Sequence, residues 1–148
     1  MLKYVHTNIV ARDWKKLARF YIEVFNCEPV PPERDLKGDW LDRLTALKNA
    51  RIQGVHLRLP GYPNGPTLEI FQYNQTIDSD TQPAVNRPGL AHLAFLVDDV
   101  EFYCRKLVEH GGSLLGEIVA TTVEGVGVLT VAYAKDPEQN IVEIQNWK

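Results

Sequence analysis

The chain repeats itself, and that limits its folds more than any other feature. "YVHTNIVARDW" (4–14) lies over "LAHLAFLVDDV" (90–100): one offset of 86 residues takes His6 to His92 (92 − 6) and Asp13 to Asp99 (99 − 13). "LEIFQY" lies over "VEIQNW" with an offset of 74, taking Glu69 to Glu143 (143 − 69) and Tyr73 to Trp147 (147 − 73). The offsets differ by 12 (86 − 74), as a shorter second half requires. Each half therefore reads as a strand with a histidine, a helix, and a later strand with a glutamate and an aromatic four residues on.

Local pattern fills in the halves. "YVHTNIV" alternates and is rich in β-formers, so a strand is expected over Tyr4–Val10. Asp13 is the expected N-cap of a helix in which Trp14, Leu17, Phe20, Tyr21 and Phe25 fall at helical spacing. "CEPVPPERD" holds Pro29, Pro31 and Pro32 and cannot continue that helix. Residues 34–48 read as a loop with a short helix. "RIQGVHLRLP" and "TLEIFQY" are strands joined by the turn "GYPNGP". Residues 75–88 read as a linker, polar and broken by Pro83 and Pro88. In the second half "LAHLAFLV" is a strand, and Asp98 or Asp99 caps the helix "VEFYCRKLVEHG". "SLLGEIVATT", "VGVLTVAYA" and "NIVEIQNW" are three more strands, the last entered through "KDPEQN". In "VEGVG", Gly125 and Gly127 mark a hairpin turn or a flexible loop.

With 148 residues the chain is expected to be one domain, residues 1–148, with half-modules at approximately 1–74 and 89–148. A net charge of −3 argues against nucleic acid as a partner. No signal-peptide pattern opens the chain and no apolar run is long enough to span a bilayer, so no membrane partner and a cytoplasmic location are expected. Two cysteines, Cys27 and Cys104, with no CxxC fit a reducing compartment and do not suggest a thiolate metal site.

Glu69 and Glu143 each interrupt an otherwise apolar strand, where an unpaired carboxylate is costly. In "TLEIFQY", Leu68 and Ile70 face away from Glu69; in "IVEIQNW", Val142 and Ile144 oppose Glu143. Taken singly, a strand histidine is more often hydrogen-bonded packing, and a strand glutamate more often faces solvent. Together His6, Glu69, His92 and Glu143 stand at equivalent positions. If the halves pack with pseudo-twofold symmetry, two neutral imidazoles and two carboxylates make a mixed N/O site for a divalent ion. The ion would offset the carboxylates' charge and leave positions open to water or substrate.

At these residues the chain resembles the vicinal oxygen chelate superfamily, which includes glyoxalase I, methylmalonyl-CoA epimerase, extradiol dioxygenases and the fosfomycin and bleomycin resistance proteins. "HTNIVARDWKKLARFY", "TLEIFQY", "GLAHLAFLVDDV" and "KDPEQNIVEIQNW" carry the resemblance across nearly the whole chain. It implies an α+β fold of paired βαβββ modules forming a curled mixed sheet around a metal-binding cup. Bacterial glyoxalase I has the ligand order His, Glu, His, Glu, matching His6, Glu69, His92 and Glu143. The epimerase usually has glutamine at the position of Glu69, and extradiol dioxygenases lack that ligand.

The resemblance therefore implies a glyoxalase I-like lyase or isomerase. Its substrate would be a hemithioacetal or related α-carbonyl compound, and its chemistry proton abstraction with stabilisation of the enediolate. Glu143 is the first choice of base and Glu69 the second. The implied cofactor is a divalent ion (Ni, Co, Zn, Mn or Fe), with glutathione as co-substrate. A homodimer binding a small-molecule substrate is expected. An epimerase, a dioxygenase and a non-catalytic resistance protein are the alternatives. Loops unlike the usual glyoxalase pattern leave glutathione-binding residues unassigned. His56 and Arg58 in "VHLRL" either face the cup and bind an anionic part of the substrate or form a solvent-facing edge. Tyr133 either reaches the cup or packs.

Overall fold

A computed structural model describes residues 1–78 and 81–148; Ser79 and Asp80, in the expected linker, lie outside the described residues. The chain divides into two compact units, Met1–Asp78 and Ser79–Lys148. Among the described residues there are nine strands and three helices, the strands forming two curled, unclosed mixed sheets.

In the first unit β1 (His6–Val10) leads to α1 (Trp14–Phe25), β2 (Glu28–Lys37), α2 (Asp39–Thr45), β3 (Arg51–Arg58) and β4 (Thr67–Tyr73). The sheet order is β1-β4-β3-β2, with β1 parallel to β4 and the other pairs antiparallel. Asp13 caps α1, its side chain accepting from the Lys16 amide at 3.0 Å. That supplies one of the partners a helix N-terminus lacks, a contribution of about 1 kcal/mol. Leu17, Phe20, Tyr21 and Val24 of α1 are buried as the spacing requires, and the helix packs on β3 and β4. Leu68 and Ile70 of β4 and Leu57 of β3 are fully buried. Period-two alternation therefore turns Glu69 and His56 to the other face.

The proline-rich segment ends α1 as expected and then forms a strand that the sequence did not suggest, which runs on into the residues read as a loop from 34. Residues 28–37 form β2, an edge strand whose register slips between Val30 and Arg34. Proline has no N–H for the ladder, so strands accept it at edges and irregularities, and Pro31 and Pro32 lie in that slip. The short helix expected between 34 and 48 is α2. The carboxylate of Asp42, within α2, accepts from the amides of Asn49 (2.7 Å) and Ala50 (2.9 Å). Leu41 then joins Ala50, Ile52 and Phe71 in a small core.

The second unit repeats the plan: β5 (His92–Leu96), α3 (Val100–Glu109), β6 (Ser113–Leu114), β7 (Val119–Val123), β8 (Gly127–Lys135) and β9 (Ile141–Trp147). Its order is β5-β9-β8-β6, with β5 parallel to β9 and β7 also paired to β8. Asp99, rather than Asp98, caps α3, accepting from the Phe102 amide at 2.9 Å. "SLLGEIVATT" is two strands rather than the single one expected, interrupted around Gly116, a residue that weakens strands. The "VEGVG" glycines lie at the hairpin between β7 and β8, Gly125 with φ of 76°. The turn before β9 is built on Asp136, fully buried, whose carboxylate accepts from the amides of Glu138 (2.8 Å) and Asn140 (3.0 Å) and from Asn140 Nδ2 (2.9 Å). This turn sets where β9 begins, and so where Glu143 stands.

Both cysteines are buried and unbonded. Burial pushes the Cys27 thiol up to about 12 and raises Cys104 as well, where the Glu101 charge adds to it. A thiol held protonated is a poor nucleophile. Native protein at pH 8 is therefore expected to resist iodoacetamide and unfolded protein to take up two equivalents, as read by mass spectrometry. The sign for stability follows. Folded-state values lie above the unfolded one, so the contribution is complete below the ordinary thiol value of 9.0 and is lost as pH rises beyond it.

Candidate functional site

In the first unit three neighbouring strands deliver polar side chains to one face of the sheet. Register pairs His56 of β3 directly with Glu69 of β4, and Asn8 of β1 with the same glutamate from the other side. His56 Nε2 lies 2.9 Å from Glu69 Oε1, and His6 Nε2 lies 3.5 Å from Oε2. Asn8 Nδ2 donates to Oε2 at 2.8 Å. The Glu69 side chain is only 13% exposed, so these donors answer the cost of placing an acid on this strand. His56 Nδ1 bonds Thr67 Oγ1 at 3.1 Å, which fixes the ring.

The His56–Glu69 distance is that of an ion pair, yet burial favours the neutral ring. Desolvation pulls the His56 pKa below the ordinary histidine value, and the charges of Arg34 and His6 add to that. Together they outweigh the attraction of Glu69. We therefore read the contact as a neutral imidazole hydrogen-bonded to a carboxylate.

The second unit carries the same His–Glu pair with two exchanges around it, Tyr133 for His56 and Ala94 for Asn8. His92 Nε2 lies 3.2 Å from Glu143 Oε2, and register pairs Tyr133 of β8 with Glu143 of β9. Tyr133 thus occupies the place in its unit that His56 occupies in the first. Burial raises the Tyr133 pKa, and its hydrogen bond to Glu143 and that residue's charge raise it further, so the phenol stays protonated and donates. Its ring lies 5.2 Å from that of His92.

Of the four sequence-derived residues, His6 meets Glu69 and His92 meets Glu143, each within its own unit. His56 stands among the polar groups around Glu69. Arg58 instead pairs with Glu28 at 3.5 Å, beside a cleft of about 480 Å³ that includes Tyr62. Asn8 was not singled out from the sequence. Its signal was the alternation in "HTN", which puts it on the same face as His6.

Chemically, the donors suit a divalent first-row ion: neutral imidazole nitrogen and carboxylate oxygen, half-buried and oriented by neighbouring bonds. Ligands at about 2.1 Å from an ion stand roughly 3.0 Å apart on octahedral edges and roughly 3.4 Å on tetrahedral ones. The separations within the pairs, 2.9, 3.2 and 3.5 Å, lie close to those values.

A family model described as Glyoxalase/Bleomycin resistance protein/Dioxygenase superfamily matches residues 3–144. No curated protein matches the chain. Among solved structures, a glyoxalase family protein from Bacillus cereus superposes with a TM-score of 0.77 at 20% identity, covering 99% of this chain and 93% of that one. A mutant fosfomycin resistance protein, FosX, from Listeria monocytogenes, complexed with Mn(II) and a dihydroxypropylphosphonic acid, gives 0.59 at 15% identity, covering 97% and 91%. A mutant glyoxalase I from Zea mays gives 0.61 at 17% identity, covering 97% of this chain and 44% of that one. At these identities the structures establish a shared fold.

Proposed function

The chain belongs to the Glyoxalase/Bleomycin resistance protein/Dioxygenase superfamily, and on that premise we propose that it is a metal-dependent lyase or isomerase of the glyoxalase I type. The repeated His–Glu pair carries the reading. His6 and Glu69 in one unit and His92 and Glu143 in the other are the proposed ligands of a divalent ion. When bound, such an ion supplies Lewis-acid stabilisation of negative charge developing on a carbonyl oxygen. Glu143 is the proposed base, taking the proton from the carbon beside that carbonyl. Asn8 keeps Glu69 oriented, and Tyr133 orients Glu143 through its hydroxyl. The substrate of this proposal is the hemithioacetal of methylglyoxal and glutathione.

A homodimer and a cytoplasmic location belong to the same proposal. Val10 (54% exposed) and Leu96 (72%) stand on the ligand-bearing faces of edge strands β1 and β5, apolar surface that a second chain would cover. No helix among the described residues is long and apolar enough to cross a membrane.

The test is elemental analysis of protein purified without chelator, followed by the hemithioacetal assay with Ni(II), Co(II), Zn(II), Mn(II) and Fe(II) in turn. We expect bound metal and turnover that EDTA abolishes. A chain that retains no divalent ion after reconstitution would end the proposal. Deuterium exchange into methylmalonyl-CoA, or ferrous-dependent cleavage of a catechol, would move the assignment to another activity of the superfamily.

A further inference from the structure

The two units match in their His–Glu pairs but differ at the position opposite the glutamate, where the second has a phenol and the first an imidazole. We propose that His56 is a metal ligand, so that the first unit by itself carries a three-donor set, His6, His56 and Glu69, for a divalent first-row transition ion. This rests on the metal-binding reading above and adds a residue to it.

The donor atoms of these three residues all lie within 4.8 Å of one another. They come from three adjacent strands, β1, β4 and β3, so the sheet's own hydrogen bonds fix their spacing. His56 Nε2 stands 2.9 Å from Glu69 Oε1, the separation of two donors on one ion. Its other nitrogen bonds Thr67 Oγ1. Protein sites commonly hold a ligating histidine by engaging its far nitrogen; an ion between Nε2 and Glu69 would take the place of the Nε2 proton, with the ring's N–H then on Nδ1 toward Thr67. The side chain is 18% exposed, against 40% for His6, so of the two imidazoles His56 is the better shielded from water. Asn8 occupies Glu69 Oε2 from the far side and leaves Oε1 turned to His56. Arg34, whose charge opposes a second cation near His56, donates to the Pro32 carbonyl. The donors make a two-histidine, one-carboxylate set of the kind that suits ferrous, zinc or manganese ions.

The test is Zn(II) titration calorimetry on the full chain, paired with pulsed EPR of the Cu(II)-loaded chain to count coordinated imidazoles. Wild type is compared with His56→Gln, and with His110→Gln as a control on α3. We expect His56→Gln to weaken Zn(II) binding by at least about tenfold and to lose one imidazole from the count. We expect His110→Gln to match wild type, with unchanged melting temperatures for both variants. An unchanged count in His56→Gln overturns the inference, even where affinity falls, because His56 would then only position Glu69. Wild type that binds neither ion overturns the metal-binding reading and this inference together; wild-type binding with an unaltered variant overturns this inference alone.

Discussion

Glu143→Gln is expected to lower turnover of the hemithioacetal by roughly a hundred- to ten-thousand-fold, the range a positioned general base contributes, while retaining bound metal. On the proposed reading, glutamine would keep a carbonyl oxygen for the ion and lose the group that takes the proton. Glu69→Gln is expected to cost less. The difference lies in how each carboxylate is held. Glu69 is gripped from both sides, by Asn8 and His6 at Oε2 and by His56 at Oε1. Glu143 faces His92 at 3.2 Å and the Tyr133 hydroxyl, and the residue across from it on β5 is Ala94, which offers no donor where Asn8 stands in the first unit. On the proposed reading, the carboxylate with fewer partners is the one expected to act on substrate. The measurement is kcat and metal content for both variants side by side. If Glu69→Gln loses the larger share of kcat with its metal retained, the base is Glu69.

Gly54→Ala is expected to destabilise the chain by about 3 kcal/mol, the upper end of the usual overpacking range, and to lower the melting temperature by about 10 °C at this chain length. A Cβ at this position would lie 2.0 Å from the Ile70 carbonyl oxygen and 2.9 Å from Phe71 Cα. Both are backbone atoms that no rotamer change can clear. The strand is therefore forced away from β4 at the pairing that sets His56 opposite Glu69, two residues on. Weaker Zn(II) binding is expected with the lost stability. Gly116→Ala is the control, since a Cβ there meets nothing within 4 Å. Equal thermal melts for the two variants would show that β3 and β4 have room to separate.

Much of this was legible in the residues. The two helices with buried stripes announced themselves through period, and their caps Asp13 and Asp99 through the liking of helix starts for a short acid. The strands bearing Glu69 and Glu143 were legible because alternation sets large apolar residues against one acid. β2 was not, because Pro29, Pro31 and Pro32 speak against a ladder. Only its position at the sheet edge makes them tolerable. Nor did local pattern reveal the break between β6 and β7, since both segments pair with the same long strand β8.

The sequence by itself determined the repeat, the helices and the presence of a histidine and a glutamate on corresponding strands of each half. Those follow from local period and from the cost of burying an acid alone. Only the tertiary structure decided what else surrounds each glutamate. Asn8, His56 and Tyr133 reach their carboxylates across strand registers, and register comes from how whole strands pair rather than from any short string. It placed His56 against Glu69 and left Arg58 with Glu28, though the two lie on the same strand only two residues apart.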